Sequence, residues 1–273
     1  MGGKLLLAAG SASVQDNASA QEAASVPYND GAVASDRPGF GEGAAVVAPG
    51  RFQIEAGYAF AWTDTTRRHS LGQVLLRLGL LPRVELRAAL NSFVVFTRDP
   101  ACSLDGEACS RPGAGRSEGF EDLLIGAKVN LVRSNRIGKP ALTAIAGLGL
   151  PTGDAAFSTD ALRPEVRLAL DLALSPLVHF SGNGGYTFTP EENGVDVFFT
   201  SGALSVALPN VDGLGVFAGI YSLYPRNFEF THGLEAGITY LPDPYLQLDL
   251  NAGLGWKGDG PDLVFGLGLA RRF

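Results

Sequence analysis

The sequence predicts an all-β protein, an antiparallel transmembrane β-barrel of about twelve strands behind an N-terminal flexible segment. Three observations carry that expectation. Apolar and polar residues alternate with a period of two along most of the chain. The alternating stretches are long. The connections between them are in turn short and long.

Composition sets the frame. The chain has 273 residues, 46% hydrophobic and only 18% charged, whereas soluble domains carry about 25% charged residues. Glycine contributes 36 residues without a G-X-Y period, which excludes collagen. The net charge of −7 argues against nucleic acid as a partner, because such binding needs clustered Lys and Arg. No stretch offers the ~18 consecutive apolar residues of a membrane helix. Weakly charged runs such as Val197 to Val211 are broken by Ser, Gly and Pro. A hydrophobic, charge-poor chain without a spanning helix leaves two classes, a soluble β protein or a membrane barrel.

The alternation is clearest at the C-terminal end. Leu246, Leu248, Leu250, Ala252 and Leu254 share one parity, and Gln247, Asp249, Asn251 and Gly253 take the other. Successive side chains of a strand point to opposite faces, so this is one apolar and one polar face. In 162–174, Val166, Leu168, Leu170, Leu172 and Leu174 oppose Arg163, Glu165, Arg167 and Asp171. In 83–97, Val84, Leu86, Ala88, Leu90, Val94 and Phe96 oppose Arg83, Glu85, Arg87, Ala89 and Asn91. The same holds for Phe52 to Trp62, Leu123 to Leu131 and Leu234 to Tyr240. A helix would need apolar recurrence at i, i+3 and i+4, and these segments lack it.

Twelve segments emerge: 51–62, 69–80, 83–97, 119–132, 140–150, 161–174, 177–188, 195–207, 213–223, 230–241, 245–255 and 261–273. Most exceed the usual 5–6 residues of soluble strands and match the ~9–11 of a spanning strand. One set of connections is short and Pro-marked, as at Leu81-Pro82, Ser175-Pro176 and Pro242-Asp243-Pro244. The other is often longer and more polar, as at Arg98 to Glu118 and Pro151 to Asp160. Bacterial outer-membrane barrels show this asymmetry. Aromatics fall near both strand ends, Trp62, Phe96, Phe120, Phe188, Tyr221, Phe230 and Trp256 at one and Phe52, Tyr240, Tyr245 and Phe273 at the other. Two girdles at the headgroups are expected of such a barrel. The aromatic C-terminus Phe273 resembles the terminal strand by which outer-membrane barrels are recognised, so the bilayer and the barrel-assembly machinery are the expected partners.

The N-terminal residues divide in two. Lys4, the apolar Leu5 to Gly10 and Ala18-Ser19-Ala20 give 1–20 the form of a truncated secretory signal, with a disordered tail as the alternative. Residues 21–50, rich in Ala, Gly, Ser, Asp and Pro, read as a flexible lead-in, and 51–273 as the barrel. Cys102 and Cys109 share one polar loop. They favour a local disulfide in an oxidising compartment over two free thiols. A metal is disfavoured, since no His or Cys nearby completes four ligands.

The polar parity carries the candidate site. Glu55, Arg77, Glu85, Arg87, Lys128, Arg163, Glu165, Arg167, Asp171, Glu235 and Asp249 all fall on it, as candidate channel-lining residues. At mid-depth on the lipid face a Lys or Arg would cost about 2–4 kcal/mol, and facing a lumen far less. Glycines of the same parity, such as Gly57, Gly79, Gly126 and Gly268, would keep part of the lumen clear or relieve curvature. No catalytic set accompanies them. His179 and Asp171 lack a serine at a nucleophile elbow. P-loop, HExxH and dinucleotide motifs are missing from the sequence, so no cofactor and no metal is expected.

Three stretches resemble a known family. GFEDLLIGAKVNLV at 119–132, PALTAIAGLGLPTGD at 140–154 and GLGLARRF at 266–273 are similar to the family named for the meta pathway of phenol degradation. The resemblance spans roughly 51–273, with the Leu-Pro-Thr-Gly-Asp turn at 150–154 as its most specific element. It implies a bacterial outer-membrane barrel that passes small hydrophobic or aromatic solutes. The expectation is therefore a channel or transporter rather than an enzyme. An outer-membrane barrel enzyme (a lipid or peptide hydrolase) and a structural or adhesive barrel with a closed lumen are the alternatives.

Overall fold

The computed structural model describes residues 32–37, 39–90, 92–98, 115–189, 195–226, 229–258 and 260–273. The signal-like segment and the expected Cys102–Cys109 bridge lie outside them. Fifteen strand segments form one antiparallel sheet: β1 (Phe52–Trp62), β2 (Thr66–Leu71), β3 (Val74–Leu81), β4 (Val84–Leu90), β5 (Phe93–Arg98), β6 (Gly115–Phe120), β7 (Leu123–Val132), β8 (Pro140–Leu150), β9 (Arg163–Ala173), β10 (Val178–Thr187), β11 (Val197–Ala207), β12 (Leu214–Pro225), β13 (Thr231–Asp243), β14 (Leu246–Lys257) and β15 (Leu263–Arg272). Pairing of β1 with β15, from Gln53↔Arg272 to Trp62↔Leu263, closes the barrel. Closure leaves no edge along that seam, which a hydrocarbon environment demands.

The fifteen segments make the twelve expected staves, because three staves are broken in two. β2 and β3 both pair with β1, on its last and first residues respectively. β4 with β5, and β6 with β7, are related in the same way. Each break inserts one residue and so reverses the side-chain parity. The stretch 83–97 shows the consequence. Leu86 and Leu90 are exposed, as expected, but Val94 is wholly buried, since outward positions in β5 are the odd ones. The expectation that Val94 and Phe96 share the face of Leu86 is therefore corrected. Gly72 takes a φ of 67° at the first break, a conformation L-residues rarely adopt. The fourth stave also starts earlier than expected, at Gly115 rather than 119.

Along β1, β7, β9, β13 and β14 the two parities separate clearly. Leu168 is 51% and Leu254 57% exposed, while Glu55, Arg77, Glu85 and Lys128 are fully buried. This inverts the pattern of a soluble protein and is that of a barrel with lipid outside and a polar interior.

Candidate functional site

The lumen is filled. Residues 32–37 and 39–50, expected as a flexible lead-in, run inside the barrel as an irregular plug. Val33, Val46 and Val47 on it are buried. An irregular segment at that depth must find partners for its backbone groups, and wall side chains supply them. Ala34 O accepts from Gln53 Nε2 at 3.0 Å and Arg77 Nη1 at 2.8 Å. Ser35 donates to Glu55 at 2.8 Å. The N–H of Phe40 donates to Glu235 at 2.9 Å, that of Ala44 to Asp171 at 2.7 Å and that of Val47 to Glu85 at 2.7 Å. Asn183 holds both the N–H and the C=O of Glu42, at 3.1 Å each. Asn130 and Thr143 donate to Ala44 O, and Arg272 to Ala32 O. The Phe40 ring stacks on Tyr221 with centroids 3.7 Å apart.

Two plug carboxylates complete a charge network. Asp36 meets Lys128 at 2.7 Å, Arg87 at 2.9 Å and Arg77 at 3.2 Å. Glu42 meets Arg87 at 2.5 Å and Arg167 at 3.0 Å. Within the wall, Arg77 pairs with Glu55 and Glu85, both at 2.7 Å, and Arg167 with Glu165 at 3.1 Å. Burial alone would raise the Asp36 carboxyl, but Arg77, Lys128 and Arg87 together hold it well below the usual carboxylate range. Burial likewise opposes ionisation of Glu42, and Arg87 and Arg167 outweigh it, so its acidity is also strengthened. Both acids are charged at neutral pH.

Lumen glycines make room for this plug. A Cβ on Gly57 or Gly268, which are paired in register, would strike the Arg37 guanidinium. A Cβ on Gly79 would lie 1.9 Å from Ala48 O. Arg37 in turn reaches Gln73 at 3.1 Å and Asp249 at 3.5 Å.

A cavity of about 380 Å³ remains between the plug and one side of the wall. Leu75, Ala89, Leu124 and Ile145 form its apolar flank, and Asp36, Arg37, Glu42 and Arg87 its charged floor. It extends to Val74 and Leu90, outward-facing positions at the stave breaks. The outer edge of the breaks is fastened locally. Asp122 accepts the N–H groups of Thr152, Gly153 and Thr159 at 3.1, 3.0 and 2.9 Å. Asp154 pairs with the backbone of Phe120 in both directions. The Leu-Pro-Thr-Gly-Asp turn thus folds back onto the break between β6 and β7.

A family model described as "Putative MetA-pathway of phenol degradation" matches residues 35–273. The chain belongs to this family. The match begins inside the plug, so the phenol-degradation family model takes in most of the lumen segment as well as the barrel. No functionally curated protein matches the chain. Among solved structures, the COG4313 outer membrane channel from Pseudomonas putida F1 is similar with a TM-score of 0.60 at 14% identity, covering 84% of this chain and 97% of that one. The NanC porin is similar with a TM-score of 0.50 at 8% identity, covering 81% and 98% respectively. At these identities the likeness is one of fold, that of an outer-membrane barrel.

In this member of the phenol-degradation family the candidate lining residues converge on the plug. Glu55, Arg77, Glu85, Arg87, Lys128, Arg167, Asp171, Glu235 and Asp249 each bond or ion-pair with it. Glu165 acts through Arg167, and Arg163 shares their face opposite Gly149. Sequence reasoning missed the plug's own Asp36, Arg37, Phe40 and Glu42, and the neutral wall residues Gln53, Asn130, Thr143 and Asn183. The one available signal was the apolar run Ala44 to Ala48 inside an otherwise linker-like stretch. Of the histidines, His69 and His232 lie on the outer face, bonded to Tyr58 and Ser222 at 2.8 Å each. Among the described residues no cluster of His, Cys, Asp and Glu forms a metal site.

Proposed function

We propose that this protein is an outer-membrane channel for small apolar or aromatic solutes, which pass through the cavity between plug and wall. The cavity's shape carries this reading. Its apolar flank reaches from the charged floor to the outer face at Val74 and Leu90. A dry cavity of about 150 Å³ accommodates benzene, so about 380 Å³ suits a molecule of one or two rings. The plug bars a wide aqueous route, which disfavours large polar cargo. In this reading the barrel resides in the bacterial outer membrane, delivered by the assembly machinery through its Phe273-ended strand. The lining charges hold the plug and tune what passes it.

Uptake of naphthalene by cells producing the wild-type protein or Ala89→Phe tests this. The larger ring should fill the flank, and uptake should fall to the level of cells without the protein. Uptake that is the same with and without the wild-type protein refutes the channel. It would favour a structural barrel, which the filled lumen also suits.

A further inference from the structure

We infer that Arg37 is a gate on the solute route: its guanidinium closes the passage between two lumen cavities when it bonds Gln73, and opens it by turning onto the buried carboxylate of Asp249. This rests on the solute route proposed above and names the side chain that regulates it.

A second cavity of about 140 Å³ adjoins the larger one. Phe40, Ala59 and Val264 give it an apolar lining of its own. It follows the wall along β14, β15 and β1, whereas the larger cavity lies mainly against β3, β4, β7 and β8. Arg37, Gly39 and Gln73 line both. The hydrogen bond from Arg37 Nη1 to Gln73 Oε1, 3.1 Å long, therefore stands where the two spaces meet. Gln73 directly precedes Val74 and Leu75, so a body moving along the apolar flank arrives at this bond.

The guanidinium is placed to turn. It lies against Gly57 and Gly268, where a Cβ would strike it. Its Nη1 reaches Gln73 and its Nε faces Asp249, which points into the lumen from β14 beside Gly268. The Asp249 side chain is fully shielded, and neither of its oxygens accepts a hydrogen bond. Arg37 Nε, 3.5 Å away, is likewise buried without an acceptor. A buried carboxylate lacking donors is costly, and a guanidinium fork suits two parallel bonds to one carboxylate. The fork here is Nε with Nη2, and Nη2 now donates to the carbonyl of Leu267 at 3.2 Å. Closing the fork on Asp249 draws Nη1 off Gln73. Both bonds surrendered go to neutral acceptors, and both bonds gained go to a charged one, which binds roughly twice as strongly.

The turn leaves the plug seated. The Arg37 N–H donates to Ser35 Oγ at 3.0 Å, and its carbonyl accepts from Gln247 at 3.2 Å, so the main chain is fastened independently of the side chain. An apolar solute offers Arg37 no acceptor in exchange for Gln73. Opening therefore depends on Asp249.

The test is planar-bilayer recording of the full-length, refolded protein at constant neutral pH, with folding of every variant checked by heat-modifiable migration. Wild type should switch between two levels, as small ions use the opening that Arg37 makes. Gln73→Ala should lengthen the open periods. Asp249→Asn should shorten them about tenfold, the scale of one charged hydrogen bond, and Asp249→Glu should restore them. Gln73→Glu sets a charge at the closed end and should shorten them as well. If Arg37 and Asp249 merely fastened the plug, Asp249→Asn would loosen it and lengthen the open periods. That result, unchanged open periods in folded Asp249→Asn, or a single level in wild type overturns the gate. Naphthalene uptake by cells reports on the route separately. Uptake above background with any of those three results leaves the route standing without the gate. Recordings in the expected order with uptake at background uphold the gate for ions and refute the solute route.

Discussion

Replacing Arg77 by Leu tests whether the buried charges hold the plug or the wall. Arg77 makes five hydrogen bonds, to Glu85 twice, to Glu55, and to the plug carbonyls of Ala34 and Ala45. Its removal leaves Glu55 and Glu85 fully buried with much of their compensation gone. Stripping one partner from a buried ion pair costs about 3–5 kcal/mol. The wall keeps its backbone ladder at this position, Gln53↔Arg77 and Arg77↔Arg87, so the loss falls on docking of the plug. That shifts the docking equilibrium roughly a hundredfold to several thousandfold toward release. Planar-bilayer recordings should show a larger conductance, and protease should cut between residues 32 and 50 while the barrel still migrates as folded on gels. Wild-type conductance and protection in a folded Arg77→Leu barrel would refute the reasoning. So would failure of the barrel itself to fold, because the wall would then depend on Arg77 directly.

Leu168→Arg places a charge on the exposed face midway along β9 and should cost about 2–4 kcal/mol, read as lower refolding yield into lipid vesicles, whereas Arg167→Ala should leave yield nearly intact. Gly79→Ala brings a Cβ against Ala48 O and should free the 45–50 leg of the plug, seen as faster amide exchange there with the barrel intact. The plug's pH response follows from Asp36 and Glu42, whose acidity is strengthened when docked. Their contribution is fully present above the ordinary carboxylate range and is lost only as pH falls through their lowered values. Conductance should therefore stay constant from pH 7 to 5 and rise only below about pH 4; a rise near pH 6 would contradict this assignment.

The barrel was legible because lipid imposes a strict rule on each strand separately. Leu246 to Leu254 and Arg163 to Ala173 each announce their own facing, with no need of knowledge from elsewhere. The breaks were harder. A one-residue shift between Leu90 and Phe93 leaves composition untouched and only moves Val94 and Phe96 to the other face, so a continuous reading across Leu90 runs on unnoticed. The plug left only one trace, the apolar run Ala44 to Ala48. Its partners lie far off in sequence, as with Asn183 for Glu42 and Arg272 for Ala32. A short stretch of Ala, Gly, Ser and Pro carries the same composition whether it is solvated or packed against such partners. The candidate residues lie on the inward face, and their occupant could not be read from them.

The plug changes what a polar lumen is for. A barrel of this size with so many inward charges and no filling would hold water, and an apolar solute gains nothing by entering water. Residues 32–37 and 39–50 in the lumen replace much of that water with fixed dipoles and paired charges. What is left is a confined space, closed below by Asp36, Arg37 and Glu42 and flanked by Leu75, Ala89, Leu124 and Ile145. Apolar surface buried there is worth about 25 cal/mol per Å², a gain that a wide aqueous pore does not offer. In the proposed route the plug is thus the second wall of the solute site as well as its stopper. Its charges keep it seated, Asp36 against Arg77 and Lys128 and Glu42 against Arg87 and Arg167.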